Sequence, residues 1–252
     1  MTVDYDSSKN LHTIEGPHAA LKWIFPGAKP KSILDVGCGI GTWLRASLDL
    51  GIAEAIGVDG SAIKEGHFLV PRTYLKQRDL TQLLDMGRRF DAVLCLEVAE
   101  HLEKHFGPTL LDSLVRHADV IVFSAACPGQ PGQHHVNCQW PSYWQKLFNE
   151  RGYVCSDDVR WRMWTDDSIE PWYRQNMMIA SRDPYSAGKE ETIASVIHPS
   201  MMSFFNGFQA EKTRIETIRA ANSGDFGLKW CRETLQNAFC SRTRRLWKKL
   251  VT

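Results

Sequence analysis

Four carboxylates in this sequence each follow closely on a short apolar run. Ile33-Leu34 lead to Asp35, Ala55-Ile56-Gly57-Val58 to Asp59, Tyr74-Leu75 towards Asp79, and Val93-Leu94-Cys95-Leu96 to Glu97. After Asp35 the chain reads Gly37-Cys38-Gly39-Ile40-Gly41. Glycines there let the backbone bend sharply and come close to a ligand. The helix predicted to open beyond Gly41 offers unpaired N–H groups and a positive dipole end to an acceptor such as a carboxylate. Asp59, followed by Gly60, stands at the spacing at which a carboxylate takes the hydroxyls of a bound ribose. Its other reading is a helix cap at Gly60-Ser61.

Glu97-Val98-Ala99-Glu100-His101 sets three potential metal ligands on one turn, and His134 and His135 follow on a later loop. Oxygen with imidazole ligation suits Mg²⁺, Mn²⁺, Fe²⁺ or Zn²⁺. A divalent ion bridging a diol lowers its pKa and orients it for attack. Without a metal, Glu97 shapes a cleft and His101 caps or packs beneath it. The histidines also offer proton transfer, because an imidazole titrates near neutral pH and accepts a hydroxyl proton. Adjacent histidines in an extended loop cannot both point the same way, so one of His134 and His135 is structural.

The ordered series resembles the class I S-adenosylmethionine (SAM) methyltransferases over roughly residues 20 to 182. Its turn has the D-x-G-x-G-x-G form, not the dinucleotide G-x-G-x-x-G, and no Gly-Lys-Ser/Thr P-loop occurs. The resemblance implies SAM as cofactor. Gly37, Cys38, Gly39 and Gly41 would face its methionine part, Asp35 its ammonium, Asp59 and Gly60 its ribose, and Asp79 with Leu80 its adenine. Asp79 also reads as a capping carboxylate. Glu97 would border the cofactor and the reacting groups. Glu97, Glu100, His101 and His135 together look like the metal set of the small-RNA 3′-terminal 2′-O-methyltransferases, although metal-free members of the superfamily carry similar residues. The loop Pro128-Gly129-Gln130-Pro131-Gly132-Gln133-His134-His135-Val136-Asn137, followed by Gln139-Trp140-Pro141, resembles a bacterial subgroup with a P-G-Q-G-G-x-x-H-V-N-x-Q loop. That likeness favours His135 as general base, with His134 and Glu97 as further catalytic candidates. Cys138 stands where the subgroup often has an acidic residue, so no role is assigned to it.

Strand and helix signals alternate along the chain. Strands are expected near 32–36, 55–58, 73–76, 91–96 and 119–124, and helices at 18–25, 42–50, 61–65, 80–86, 107–116 and 141–152. Such alternation implies a parallel sheet with crossover helices, whose ligands bind beyond the strands' carboxyl ends. Two further strands are expected near 153–164 and 172–182, and the resemblance implies that they form the terminal antiparallel hairpin of a seven-stranded sheet. The predicted fold is α/β, a Rossmann-like seven-stranded doubly wound sheet with a C-terminal helical appendage. Residues 1–17 read as an irregular arm, which the resemblance implies would fold over the cofactor as a lid with Tyr5 and His12. Residues 18–182 form the methyltransferase domain and 183–252 the appendage. Five tryptophans between Trp140 and Trp172 read either as acceptor-stacking faces or as core and loop anchors.

A chain of 252 residues accommodates one such domain and an appendage. Its formal net charge of +1 does not mark a nucleic-acid binder. Residues 211–252 hold ten Lys and Arg against four Asp and Glu, 10 − 4 = +6, leaving 1 − 6 = −5 elsewhere. The basic end Arg242–Leu250 reads as a solvated helix or as a contact for an anionic surface or polymer. Seven cysteines without a C-x-x-C pair suit a reducing cytoplasm. No apolar signal core or membrane-spanning run is read. The resemblance to the bacterial subgroup implies, as the expected activity, O-methylation of a small hydroxyl-bearing acceptor (a sugar, glycan-related or natural-product intermediate). The alternatives are metal-assisted 2′-O-methylation of an RNA 3′ end and SAM binding without catalysis.

Overall fold

The computed structural model describes residues 13 to 202 other than 62, 64 and 65, and also residues 213, 215, 216 and 219. Tyr5, His12, the basic end and most of the expected 61–65 helix lie outside these residues. Largely apolar runs form the strands Ser32–Val36 (β1), Glu54–Asp59 (β2), Ala92–Leu96 (β4) and Val120–Ser124 (β5), and the short polar Leu75–Gln77 (β3) lies at the edge. Every residue of β4 is buried, as expected of a strand covered on both faces. The short strands Tyr153–Ser156 (β6) and Met178–Arg182 (β7) complete a seven-stranded sheet in the order β3-β2-β1-β4-β5-β7-β6. Strands β1 to β5 pair in parallel, while β7 runs antiparallel to both β5 and β6.

Strand alternation divides the core into two layers. Leu34, Val36, Val93, Cys95, Ile121 and Phe123 face one layer, closed by Trp144, Phe148 and the helix Gly107–His117 (α3). Ile33, Leu94 and Val122 face the other with Trp43, Met163 and Tyr173. The helices Glu15–Ile24 (α1), Thr42–Asp49 (α2) and Pro141–Asn149 (α4) flank the sheet together with Asp158–Arg162 (α5) and Pro171–Asn176 (α6). The chain moves outward from β1 to β3 and then returns to β4, so connections diverge on either side of the β1/β4 pair. The carboxyl ends at that reversal are where an open α/β sheet leaves a crevice.

Several expected elements differ. Residues 80–86 form no helix, because side chains from α3 satisfy the backbone there: Leu84 N donates to Ser113 Oγ (3.0 Å) and Met86 N to His117 Nε2 (2.9 Å). The two final strands are shorter than expected, since 158–162 and 171–176 are helical. Pro171 opens α6 as Pro141 opens α4, its missing N–H costing nothing at a helix start. Helix α1 begins at Glu15, with Gly16 pressed so close to Glu170 that a Cβ would lie 1.7 Å from Oε2.

The chain divides into two compact units, Met1–Phe204 and Phe205–Thr252. Residues 183 to 202, expected in the appendage, belong to the first unit. Glu190 anchors them, its carboxylate accepting from Asn149 Nδ2, Gln145 Nε2, Cys155 N and Gly188 N. Burial raises its pKa, but these donors outweigh burial and bring it down to about 2. A depressed carboxylate stabilises the fold above its ordinary value of 4.5, and that stabilisation is lost as pH falls towards 2. Glu190→Ala should cost about 1 kcal/mol at pH 7, discounted for partial exposure. Urea titrations should show the variant and the parent converging between pH 4.5 and 2. Among the described residues, no helix is long and apolar enough to cross a membrane.

Candidate functional site

The glycine turn is stitched to β2 by Gly37 N and Cys38 N, which both donate to Val58 O (2.7 and 3.1 Å). Gly37, Gly39 and Gly41 all have positive φ, a region that costs other L residues energy. Their surroundings differ. A Cβ on Gly37 would strike Val98 at 2.3 Å and one on Gly41 would meet Phe68 at 2.9 Å, whereas one on Gly39 would meet nothing within 4 Å. The turn is thus packed at both ends and open at its centre. Cys38 is a buried packing residue, with its thiol pushed up by burial and by Asp35 and Asp59.

Asp59 braces the turn, with Oδ2 accepting Gly39 N (2.8 Å) and Oδ1 accepting Ser61 N (2.7 Å). The Ser61 bond closes a local turn on the Asp59 side chain, and a carboxylate with about four lone-pair sites keeps acceptor capacity beyond these two donors. Gly60 lies against Arg78 O, 3.3 Å from where its Cβ would be. Asp35 is 2% exposed and its Oδ2 has no hydrogen-bond partner. Burial, reinforced by Asp59, pushes its carboxyl up to about 8. Asp79 differs from both. It is exposed, and its Oδ1 accepts Thr81 Oγ1 (2.7 Å) and Thr81 N (2.9 Å), which holds its pKa low. Leu80 beside it packs into the core.

At the end of β4, Glu97 adopts φ 55°, a left-handed conformation uncommon outside glycine. Its N–H donates to Ser124 O (3.0 Å) and Oγ (3.1 Å), while its carboxylate accepts Gln130 Nε2 (2.8 Å) and Asn176 Nδ2 (3.1 Å). Burial raises its pKa against the pull of these donors. Glu100 is fully buried, and neither carboxyl oxygen has a hydrogen-bond partner within normal geometry. Burial and the Glu97 charge hold its pKa well above the ordinary carboxylate range.

The loop between β5 and α4 is tied to this turn. Glu100 O accepts Val136 N (2.9 Å) and Asn137 N (3.0 Å), and Gln139 N donates to Ala126 O (3.2 Å). His135 Nδ1 lies 3.0 Å from Gln130 O. A carbonyl only accepts, so the neutral ring carries its proton on Nδ1 and leaves Nε2 as the base. Burial lowers its pKa, and burial with His135 brings His101 down to about 4. The two rings meet at 5.1 Å, near perpendicular. His134 is exposed with φ 51°.

Among the described residues, Glu100, His101 and His135 bring one ligand atom each within 4.8 Å of one another. Glu97 is not in that group, its carboxylate being engaged by two amides. Sequence reasoning missed those amides. Gln130, Gln175 and Asn176 are each less than 8% exposed and form the polar floor beneath Glu97. The signal that could have found two of them is Glu170-Pro171, a helix start that places Gln175-Asn176 on a packed face instead of an alternating strand.

Residues 15–168 match the family described as methyltransferase domain. No curated protein matches the chain. Among solved structures, it is similar to a sugar N-methyltransferase from Streptoalloteichus, with 19% identity, 70% of this chain and 90% of that one covered, and a TM-score of 0.48. The methyltransferase domain of bacterial CtHen1-C gives 15%, 68%, 100% and 0.48. A SAM-dependent methyltransferase from Archaeoglobus fulgidus gives 20%, 68%, 95% and 0.47.

Proposed function

Since this chain belongs to the methyltransferase-domain family, as a class I SAM-dependent methyltransferase, we propose that it O-methylates a small hydroxyl-bearing acceptor. The favoured class is a sugar, glycan-related or natural-product intermediate. SAM supplies a methyl on a cationic sulfonium, open to in-line attack. The residues present fit it: Asp35 has an orphaned carboxyl oxygen and the turn is open above Gly39. Gly37, Cys38, Gly39 and Gly41 would hold its methionine part, Asp35 its ammonium, Asp59 and Gly60 its ribose, and Asp79 with Leu80 its adenine. His135 would take the acceptor proton, with Glu97 bordering the reacting groups and His134 at the loop surface. The observation that carries this reading is the Nδ1 contact to Gln130 O, which in the neutral imidazole places the proton on Nδ1 and leaves Nε2 able to accept one. Free cysteines among the described residues, at 38, 95, 127, 138 and 155, fit a cytoplasmic setting.

One observation favours a second reading. A buried carboxyl with two orphaned oxygens beside two imidazoles is a donor set for a divalent cation. Occupancy would deprotonate Glu100, and the activity would then be metal-assisted 2′-O-methylation of an RNA 3′ end. The charge of −5 outside the basic tail weighs against a nucleic-acid partner. Labelled SAM should be offered with pooled sugars, phenols and short RNAs, with and without EDTA. Transfer to a small hydroxyl acceptor that ignores EDTA is expected. Transfer to RNA, abolished by EDTA and restored by Mn²⁺ or Mg²⁺, would replace the first reading by the second. SAM binding with no transfer to any acceptor would favour a sensor or scaffold.

A further inference from the structure

Behind Glu97 lies a set of side-chain amides that the proposed chemistry does not itself use. Asn176 Nδ2 donates to Glu97 Oε1 (3.1 Å) and to Gln130 Oε1 (2.9 Å). Gln130 Nε2 donates to Glu97 Oε2 (2.8 Å), and the Gln130 backbone carbonyl holds His135. Gln175 stands behind all three. Its Nε2 faces Cys127 Sγ (3.1 Å), Asn176 Oδ1 (3.1 Å) and Gln130 Oε1 (3.4 Å), of which two N–H bonds serve two at a time.

The polarity of this network is fixed at its far end. At the near end, Gln130 Nε2 and Asn176 Nδ2 both point at the Glu97 carboxyl. At the far end, His198 N donates to Gln175 Oε1 (2.9 Å), and a backbone N–H only donates. The Gln175 amide therefore has one permitted orientation. The anchor belongs to residues 193–198, which lie outside the segment matched to the family. That strap is itself held firmly. Ile193 N donates to Gln145 Oε1 (2.8 Å), and His198 Nε2 lies 2.8 Å from Trp164 O. The buried Arg160 guanidinium donates to both Gln175 O (3.1 Å) and Ala194 O (3.2 Å), joining α6 to the strap a second time.

We propose that Gln175 is a positioning residue through which the strap 193–198 sets the orientation of Glu97 and of the Gln130–His135 loop, the acceptor side of the cleft. This rests on the reading that Glu97 and His135 serve the acceptor. Among the described residues no hydrogen bond runs from Gln130, Gln175 or Asn176 to the glycine turn, Asp35 or Asp59, so the network reaches the cofactor side only where Glu97 borders it.

Two variants of the full chain separate positioning from packing. Gln175→Glu keeps an acceptor for His198 N but loses both donors, whereas Gln175→Ala removes the link altogether. Gln145→Ala serves as control, loosening the strap at Ile193 and Glu190 without touching the amides. Amide hydrogen exchange is read over residues 127–139, alongside SAM affinity by calorimetry and turnover of the acceptor found with labelled SAM. Both Gln175 variants should speed exchange in 127–139 and lower kcat by about tenfold, with SAM affinity within about twofold of the parent. Gln145→Ala should speed exchange at the strap's start and, because His198 keeps its own anchor on Trp164 O, affect 127–139 clearly less than either Gln175 variant. Faster exchange confined to α6 and the strap in the Gln175 variants, or an equal effect of Gln145→Ala on 127–139, would overturn the proposal. If the parent methylates no acceptor, the proposed function fails while the exchange comparison still decides this one.

Discussion

Asp35→Asn is expected to weaken SAM binding about ten- to a hundredfold, the worth of a charge-assisted contact, while making the protein more stable at neutral pH. Both effects come from one buried carboxyl with an orphaned oxygen. In the folded protein burial holds it up to about 8, against about 3.9 for an unfolded chain. Between those values the folded state keeps a proton that the unfolded state has lost, so parent stability falls as pH rises from about 4 to about 8. Asparagine has no proton to lose, and the variant should stay level over that range. The gap should be largest near pH 8 and on the order of a few kcal/mol. SAM affinity should move the other way. The ion pair with the cofactor ammonium needs the carboxylate, so parent affinity should climb from pH 6 towards pH 8. Calorimetry and thermal unfolding across that range test both. A variant that binds SAM as the parent does, at every pH, would remove Asp35 from the cofactor site.

Such a carboxyl is visible in sequence only as a position, and its strain only in the fold. The β1–turn–α2 unit was legible because its determinants are local: an apolar run, three glycines and a helix start within about a dozen residues. The parallel order of β1 to β5 was legible for the same reason, from alternating strand and helix signals. The 80–86 segment was not, because its N–H groups are met by Ser113 and His117, some thirty residues away. A tertiary partner there outweighs helix propensity, which is a weak prior. On the acceptor side, the placement of His135 depends on one backbone carbonyl and that of Glu97 on two distant amides. Types and spacing named the acids and histidines, but not the neutral side chains that orient them. Those have no sequence signature of their own, since a buried glutamine reads like an exposed one.

His135→Ala carries the largest expected loss, a fall in kcat of about a hundred- to a thousandfold, the usual contribution of a positioned base. SAM affinity should stay within about twofold, because the ring sits on the β5–α4 loop and not on the glycine turn. The pH dependence identifies the role. Burial lowers the imidazole pKa from 6.5, so the ring is neutral and competent at pH 7, and the parent rate should fall only as pH drops below that ordinary value. In the variant that acidic limb should vanish with the base. Gly132 supplies a second way to reach the same atom, because a Cβ there would sit 2.0 Å from Nε2. Gly132→Ala must therefore displace the ring, and should lose activity without losing the cofactor. His134→Ala, at an exposed position, should change turnover by no more than a few-fold. If His135→Ala instead recovered with millimolar Mn²⁺, the ring would be a ligand replaced by mass action. Glu100 and His101 would then remain as its partners, and the proton would have to leave by another route.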